Sequence, residues 1–110
     1  MTAKTKRIAE LNDLARTAMG VCSRVLQTSG ISSLPDRDQS SIREKVETFD
    51  TFTPDNNPHG ERDFGSFDHN GERIFWKIDY YDKACEYGSE DPSDPSRTTR
   101  VLTIMLASEY

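Results

Sequence analysis

The chain is poor in cysteine and has no long apolar run, and these two absences narrow the class of protein. Cys22 and Cys85 are its only cysteines, and neither has a second thiol at C-x-x-C spacing. Secreted disulfide scaffolds of this size carry more cysteine. The longest apolar stretch, residues 101–107, is interrupted by Thr103 and is far too short to span a bilayer. No apolar run follows the basic N-terminal residues as it would in a signal peptide. We therefore expect a reduced, cytoplasmic protein without a membrane segment.

Sequence motifs that identify enzyme classes are also lacking. There is no G-x-S-x-G nucleophile elbow and no G-x-x-x-x-G-K-[ST] phosphate-binding loop. A nucleophilic cysteine would need a nearby base and a lowered pKa, and the sequence offers neither thiol such support. We therefore interpret Cys22 as a core thiol and Cys85 as a loop thiol, and we predict no cofactor.

The charge of the chain is uneven, with the acidic residues concentrated in the second half. The 110 residues carry a formal net charge of −5. Residues 1–50 hold eight Lys/Arg and seven Asp/Glu, whereas residues 51–110 hold six and twelve. A surface that binds nucleic acid needs clustered Lys and Arg. This distribution therefore disfavours direct binding of nucleic acid.

Apolar periodicity predicts a single α+β domain over residues 1–110. Apolar residues at three- and four-residue steps indicate two helices, at 4–19 and 36–49. Segments rich in β-formers indicate four strands, at 21–28, 62–69, 72–82 and 98–107. The order is α-β-α-β-β-β, and we expect both helices on one face of a four-stranded, mainly antiparallel sheet. The last strand is apolar on both faces, which predicts an interior position.

The pair Asn70-Gly71 is the strongest local signal, because it is preferred in a two-residue type I′ turn. Such a turn fixes the register of the flanking strands. The register places three pairs of interest opposite each other: Gly65 and Trp76, Asp68 and Arg73, and Arg62 and Asp79. The indole should then cover the glycine, and two opposite-charge pairs should share the other face.

Three segments of the sequence resemble a known family. Residues 55–67 read D-N-N-P-H-G-E-R-D-F-G-S-F, residues 76–82 read W-K-I-D-Y-Y-D, and residues 100–105 read R-V-L-T-I-M. The first resembles a D-N-D-P-Y-G-E-H-D-F-G pattern. Together the three are similar to a family of short alphaproteobacterial proteins of unknown function.

The resemblance implies a setting in accessory regions of plasmids and other mobile elements, but no established activity. The chain departs from the family pattern at Asn57, His59 and Arg62, where the family tends to show Asp, Tyr and His. If the family used that aspartate or histidine chemically, this chain has lost that role.

The loop at 55–63 is the first candidate site, because it holds residue types used in metal binding and acid–base catalysis. Its candidate residues are Asp55, Asn56, His59, Glu61 and Asp63. His69 is not expected to join them, because eight residues of strand separate it from Glu61, roughly 26 Å at about 3.3 Å per residue. We predict instead a structural loop without a metal, in which Asp55 and Asn56 bond to nearby backbone amides.

An acidic segment that also carries tyrosine is the second candidate site. Its candidate partner-binding residues are Asp79, Tyr81, Asp82, Glu86, Glu90, Asp91 and Asp94. Carboxylates spaced along a surface steer association with a basic partner and can imitate phosphates. The alternative is a solvated loop whose charges favour solubility.

These observations favour a non-enzymatic, inhibitor-like accessory or anti-defence factor of a bacterial mobile element. We expect it to dock through the acidic segment onto the basic surface of a partner protein. A small metal-dependent or hydrolytic enzyme that uses the 55–63 loop is the alternative. The sequence leaves the oligomeric state open, with a homodimer among the alternatives.

Overall fold

The computed structural model describes residues 2–110 as an α+β fold with one four-stranded sheet. The elements follow in this order: α1 (Ala3–Thr17), β1 (Arg24–Gln27), α2 (Ser29–Ser32), α3 (Asp36–Glu47), β2 (Phe64–His69), β3 (Glu72–Tyr81), β4 (Thr99–Leu106) and a 3₁₀ helix (Ala107–Glu109). The two long predicted helices and the four predicted strands are all present. The single turn α2 and the 3₁₀ helix are additions to the predicted order. Within residues 2–110, no helix has the length and apolar character needed to cross a membrane.

The sheet has the order β1-β4-β3-β2, so the prediction of an interior β4 is confirmed. The β2–β3 and β3–β4 pairs are antiparallel, whereas β1 runs parallel to β4. The sheet is therefore mixed. After β1 the chain crosses the sheet through α2 and α3 and enters the hairpin at the opposite edge. Because this crossover brings β2 in parallel to β1, and β2 and β4 both run antiparallel to β3, β1 is also parallel to β4.

Both long helices pack on one face of the sheet, as predicted. Ala15 of α1 and Ile42 and Val46 of α3 are fully buried. They form one core cluster with alternate residues of the two central strands, namely Ile74, Trp76, Ile78, Leu102 and Ile104. Each fully buried side chain of this size contributes about 1.5–3 kcal/mol. This cluster is therefore the main source of the fold's stability.

The hairpin at residues 64–81 confirms the predicted turn and register. Asn70 and Gly71 have φ values of 50° and 81°, which is the conformation of a type I′ turn. Gly65 pairs with Trp76, and a Cβ at position 65 would clash with the indole. The predicted pair of Arg62 with Asp79 is wrong. β2 begins only at Phe64, and Arg62 lies before it in a left-handed conformation with φ 58°.

The segment between α1 and β1 differs from its prediction as a strand. The amides of Val21 and Cys22 both donate to the carbonyl of Ala18, and Gly20 has φ 80°. These hydrogen bonds make a turn, so β1 is shortened to four residues. Val21 is 87% exposed and the thiol of Cys22 is also exposed. The interpretation of Cys22 as a core thiol is therefore wrong.

The second face of the sheet carries an aromatic cluster in place of helices. The rings of Phe64, Phe75 and Tyr110 lie 5.2–6.3 Å apart in edge-on arrangements. The 3₁₀ helix carries Tyr110 to this face, and Glu109 accepts hydrogen bonds from the amides of Gly30 and Leu106. The C-terminal residues are thereby held on the sheet.

Candidate functional site

The loop at 55–63 is shaped by two asparagines. Asn56 accepts a hydrogen bond from the Thr53 amide at 2.8 Å and donates to the Thr51 carbonyl at 2.9 Å. Asn57 accepts from the Arg62 amide at 2.9 Å, close to the point where Gly60 adopts φ 72°. The structural role predicted for Asn56 is therefore seen. Asp55 is exposed, and within residues 2–110 its carboxylate makes no hydrogen bond. The backbone hydrogen bond predicted for Asp55 is made by Asn57 instead.

A pocket of about 530 Å³ lies between this loop and the second face of the sheet. From the loop side it is lined by Asp55, Asn56, His59 and Asp63, and Lys77, Asp79 and Tyr110 close it from the sheet and the C-terminus. The Lys77 ammonium forms an ion pair with Asp79 at 2.9 Å. The pocket thus gathers four of the five loop residues that the sequence singled out.

Asp63 is a carboxyl of this pocket with a shifted pKa. Burial raises the pKa of its carboxyl, and the nearby carboxylates of Glu61 and Asp79 raise it further, while His59 acts in the opposite direction. A carboxyl with a raised pKa can exchange a proton near neutral pH more readily than an ordinary one. Asp63 is therefore a candidate general acid or base in the loop, beside the imidazole of His59.

Glu61 belongs to a buried polar chain rather than to the pocket. Its carboxylate accepts a hydrogen bond from the Tyr80 hydroxyl at 2.8 Å. Asn12 donates to that hydroxyl at 2.7 Å and accepts from Nε of Arg100 at 2.7 Å. Burial raises the pKa of Tyr80 well above its ordinary value. Through Tyr80, Glu61 is hydrogen-bonded to Asn12 of α1, so it helps to hold α1 against the sheet.

Arg62 completes an ion-pair cluster on α1. Asp13 accepts hydrogen bonds from Arg62 at 2.8 Å and from Arg16 at 2.7 Å. Arg16 is only 3% exposed and also donates to the carbonyls of Val46 and Phe49. The arginine at position 62 therefore has a structural role, because it shares Asp13 with the buried Arg16.

The two histidines lie in separate environments. His59 is exposed in the loop, whereas His69 is buried and its ring nitrogens lie 3.1 Å from Asp38 and 3.0 Å from Nζ of Lys45. No group of three His, Cys, Asp or Glu side chains within residues 2–110 has the arrangement of a metal site.

Three of the six carboxylates in the acidic segment, residues 79–94, are held by local hydrogen bonds. Asp82 accepts from the Glu86 amide at 3.0 Å, and Asp94 accepts from the Ser96 amide at 2.9 Å. Asp91 accepts from the Ser93 amide and pairs with Lys4 at 3.3 Å. These bonds orient the carboxylates without removing them from the surface.

Hydrogen bonding also keeps two of these carboxylates ionised. The Ser93 hydroxyl and amide lower the pKa of Asp91, with a smaller contribution from Lys4. The Ser96 hydroxyl and amide likewise lower the pKa of Asp94. Both shifts favour the negatively charged form of these groups.

An open cleft of about 350 Å³ lies within the acidic segment and the residues after it. Its walls carry Asp82, Glu90 and the 73% exposed ring of Tyr87. The guanidinium of Arg97 lines the cleft and pairs with Glu90 at 2.9 Å, although both side chains are more than half exposed. The cleft therefore already accommodates one guanidinium beside its carboxylates.

Several of these features left no signal in the sequence. Asn12 and Arg16 appear in it as polar interruptions of an amphipathic helix, and apart from the Asp13 partner of Arg16 their partners lie 30 to 88 residues away. By contrast, the Asp91 and Asp94 turns follow from the D-P-S-D-P-S repeat, since Asp commonly accepts from the amide two residues on.

Comparison with known proteins gives a family and no further relative. Neither the curated proteins nor the solved structures contain a match to the chain. A family model described as a protein of unknown function (DUF3768) matches residues 27–109, which include α3, the hairpin, the acidic segment and β4. The match covers well over half of the chain, and the protein therefore belongs to this family of unknown function.

Proposed function

We propose that the protein is a non-enzymatic binding protein whose acidic segment docks onto a basic surface of a partner protein in the cytoplasm. The observation that carries the proposal is the open cleft formed by Asp82, Tyr87 and Glu90. Carboxylates beside an exposed aromatic ring are suited to a Lys or Arg side chain, through charge-assisted hydrogen bonds and cation–π contact.

Preorganisation of the segment supports the same function. Asp82, Asp91 and Asp94 are already held by backbone amides, so a partner need not order them on binding. Binding costs less when the contact groups are fixed beforehand. Glu86 and Tyr87 remain exposed at the outer side of the segment, where they are available for contact.

We further propose an inhibitor-like accessory or anti-defence role in a bacterial mobile element. The resemblance of the three sequence segments to mobile-element accessory proteins supports this role. A basic target is the expected partner, because nucleic-acid-binding proteins present clustered Lys and Arg that an acidic surface can cover.

Affinity capture from a bacterial lysate tests the proposal. The bait is the wild-type chain, and the test variant carries Asp82→Asn, Glu86→Gln and Glu90→Gln, which remove three charges from the segment. A control variant with Glu10→Gln, Glu44→Gln and Glu47→Gln removes three exposed charges from the helices. We expect a basic protein, identified by mass spectrometry, to be retained by the wild type and the control and lost with the test variant. Equal retention by all three baits would contradict the proposal.

The pocket around Asp63 favours a second candidate, a small hydrolytic enzyme. The specific observations are the raised pKa of the Asp63 carboxyl and the place of Asp63 in a pocket of about 530 Å³. A screen against ester, phosphoester and peptide substrates would detect such an activity. Hydrolysis lost on Asp63→Asn and kept on Asp55→Asn would favour the enzyme. Calorimetric titration with zinc and manganese tests the metal-dependent form, with tight stoichiometric binding as the supporting result.

A further inference from the structure

A third pocket, of about 390 Å³, lies where β1 and β4 begin beside the C-terminal half of α1. Three of its lining residues are cationic, namely Arg24, Lys83 and Arg100, and its lining includes no carboxylate. This is unusual in a chain with a net charge of −5. Asp82 faces the acidic cleft, whereas Lys83, the next residue, lines this basic pocket.

Arg100 is the buried cation of this pocket, and its guanidinium lies 5.1 Å from the centre of the Tyr80 ring. It is 5% exposed. Nε donates to Asn12 and Nη2 to the carbonyl of Pro92, but Nη1 has no acceptor within residues 2–110. Over the same residues, no carboxylate oxygen lies within 4.0 Å of the cationic nitrogens of Arg24, Lys83 or Arg100. Burying a charge is costly unless an opposite charge compensates it.

The other buried arginine provides the comparison. Arg16 is 3% exposed, and Asp13 lies 2.7 Å from its guanidinium. The fold thus places a carboxylate in direct contact with Arg16, whereas Glu61 acts on Arg100 without forming an ion pair with it. Arg100 differs also in lining an open pocket together with Arg24 and Lys83, which form no ion pair among residues 2–110.

We propose that the basic pocket binds a small organic phosphate, whose phosphate group places a negative charge in direct contact with Arg24, Lys83 and Arg100. Guanidinium and ammonium groups are the usual protein donors to phosphate oxygens, and three of them match a doubly charged group. Leu11, Leu14 and Val21 form the apolar part of the lining. Leu14 and Val21 are 47% and 87% exposed, so they are available to contact the organic part of the ligand.

Nuclear magnetic resonance of the ¹⁵N-labelled full chain tests the proposal, with inorganic phosphate as the probe at constant ionic strength. We expect saturable shifts of the amides at 20–24 and 98–100. Acetate under the same conditions should bind at least about tenfold more weakly, because it carries one charge and fewer acceptor oxygens. Absence of saturable shifts, or equal affinity for acetate, would overturn the proposal.

Matched variants show whether the pocket cations are responsible. Arg24→Gln with Lys83→Gln removes two exposed cations and leaves the buried Arg100 in place. Lys6→Gln with Arg37→Gln removes two exposed cations outside the pocket. The dissociation constant for phosphate should rise at least about tenfold in the first variant, since charge-assisted hydrogen bonds commonly contribute that much, and stay unchanged in the second. Equal weakening in both variants would mean non-specific attraction and would overturn the proposal.

Discussion

The helix side of the sheet and the acidic segment use charged groups in opposite ways. Beside α1, Asp13 forms ion pairs with Arg16 and Arg62, and Glu61 accepts a hydrogen bond from Tyr80. In the acidic segment, the carboxylates are oriented by their own turns and still face solvent. In the first region the charged groups join α1 to the rest of the fold, whereas in the second three carboxylates hold local turns and remain at the surface. Substitutions should therefore separate stability from binding.

The largest effect on stability is expected from Asp13→Asn. This change removes the carboxylate that compensates the buried guanidinium of Arg16, and leaving a buried charge unpaired costs about 3–5 kcal/mol. We expect the lower end of that range, because Asp13 is itself partly exposed. Urea denaturation measures the loss. Glu10→Gln, an exposed change on the same helix, is the control, and a similar stability for both variants would contradict the role given to Asp13.

A smaller loss is expected from Gly71→Val at the hairpin turn. Gly71 has φ 81°, and a left-handed conformation costs a residue with a branched side chain about 1–2 kcal/mol. Gly71→Asn should lose less, because asparagine tolerates positive φ. Thermal unfolding of both variants checks the prediction. An unchanged midpoint for the valine variant would show that the turn does not require positive φ in solution.

Asp63→Asn should stabilise the protein slightly, and only above acidic pH. Burial raises the pKa of this carboxyl, so ionisation is less favourable in the folded chain than in the unfolded one. Its contribution to stability is therefore fully present below the unfolded pKa, about 3.9, and is lost as the pH rises through the folded pKa. The thermal unfolding midpoint of the Asp63→Asn variant should exceed that of the wild type at pH 7 and match it near pH 3. Asp55→Asn, exposed in the same loop, should show no such difference, and an equal gain at both pH values would contradict the assignment.

The sequence allowed the locally determined parts of this structure to be predicted. The hairpin follows from Asn70-Gly71, and its register places Gly65 under Trp76. The interior position of β4 follows from apolar residues on both of its faces. These features depend on neighbours in sequence or on one strand's own pattern.

Features that depend on distant segments could not be predicted in the same way. The direction of β1 is set by the crossover through α3, and the turn at Ala18 exposes Cys22. The link of Asn12 to Arg100 joins residues 88 positions apart. For the candidate sites, composition alone located the acidic segment and the 55–63 loop. The basic pocket was missed, because its three cations come from separate elements.

The smallest effect on stability, and the most direct test of the binding proposal, comes from neutralising Asp82, Glu86 and Glu90. Association with the captured partner is measured by stopped flow at low and at physiological salt, for the wild type, for this variant and for the Glu10, Glu44 and Glu47 control. Exposed charges act mainly on the association rate, and salt screens them over roughly 8 Å. We predict that the free energy of unfolding of the test variant lies within about 0.5 kcal/mol of that of the wild type. Slower association at low salt and a flatter salt dependence of the association rate are expected for the test variant alone. Identical association rates and salt dependence for all three proteins would contradict the account, because the acidic segment would then contribute nothing to recognition.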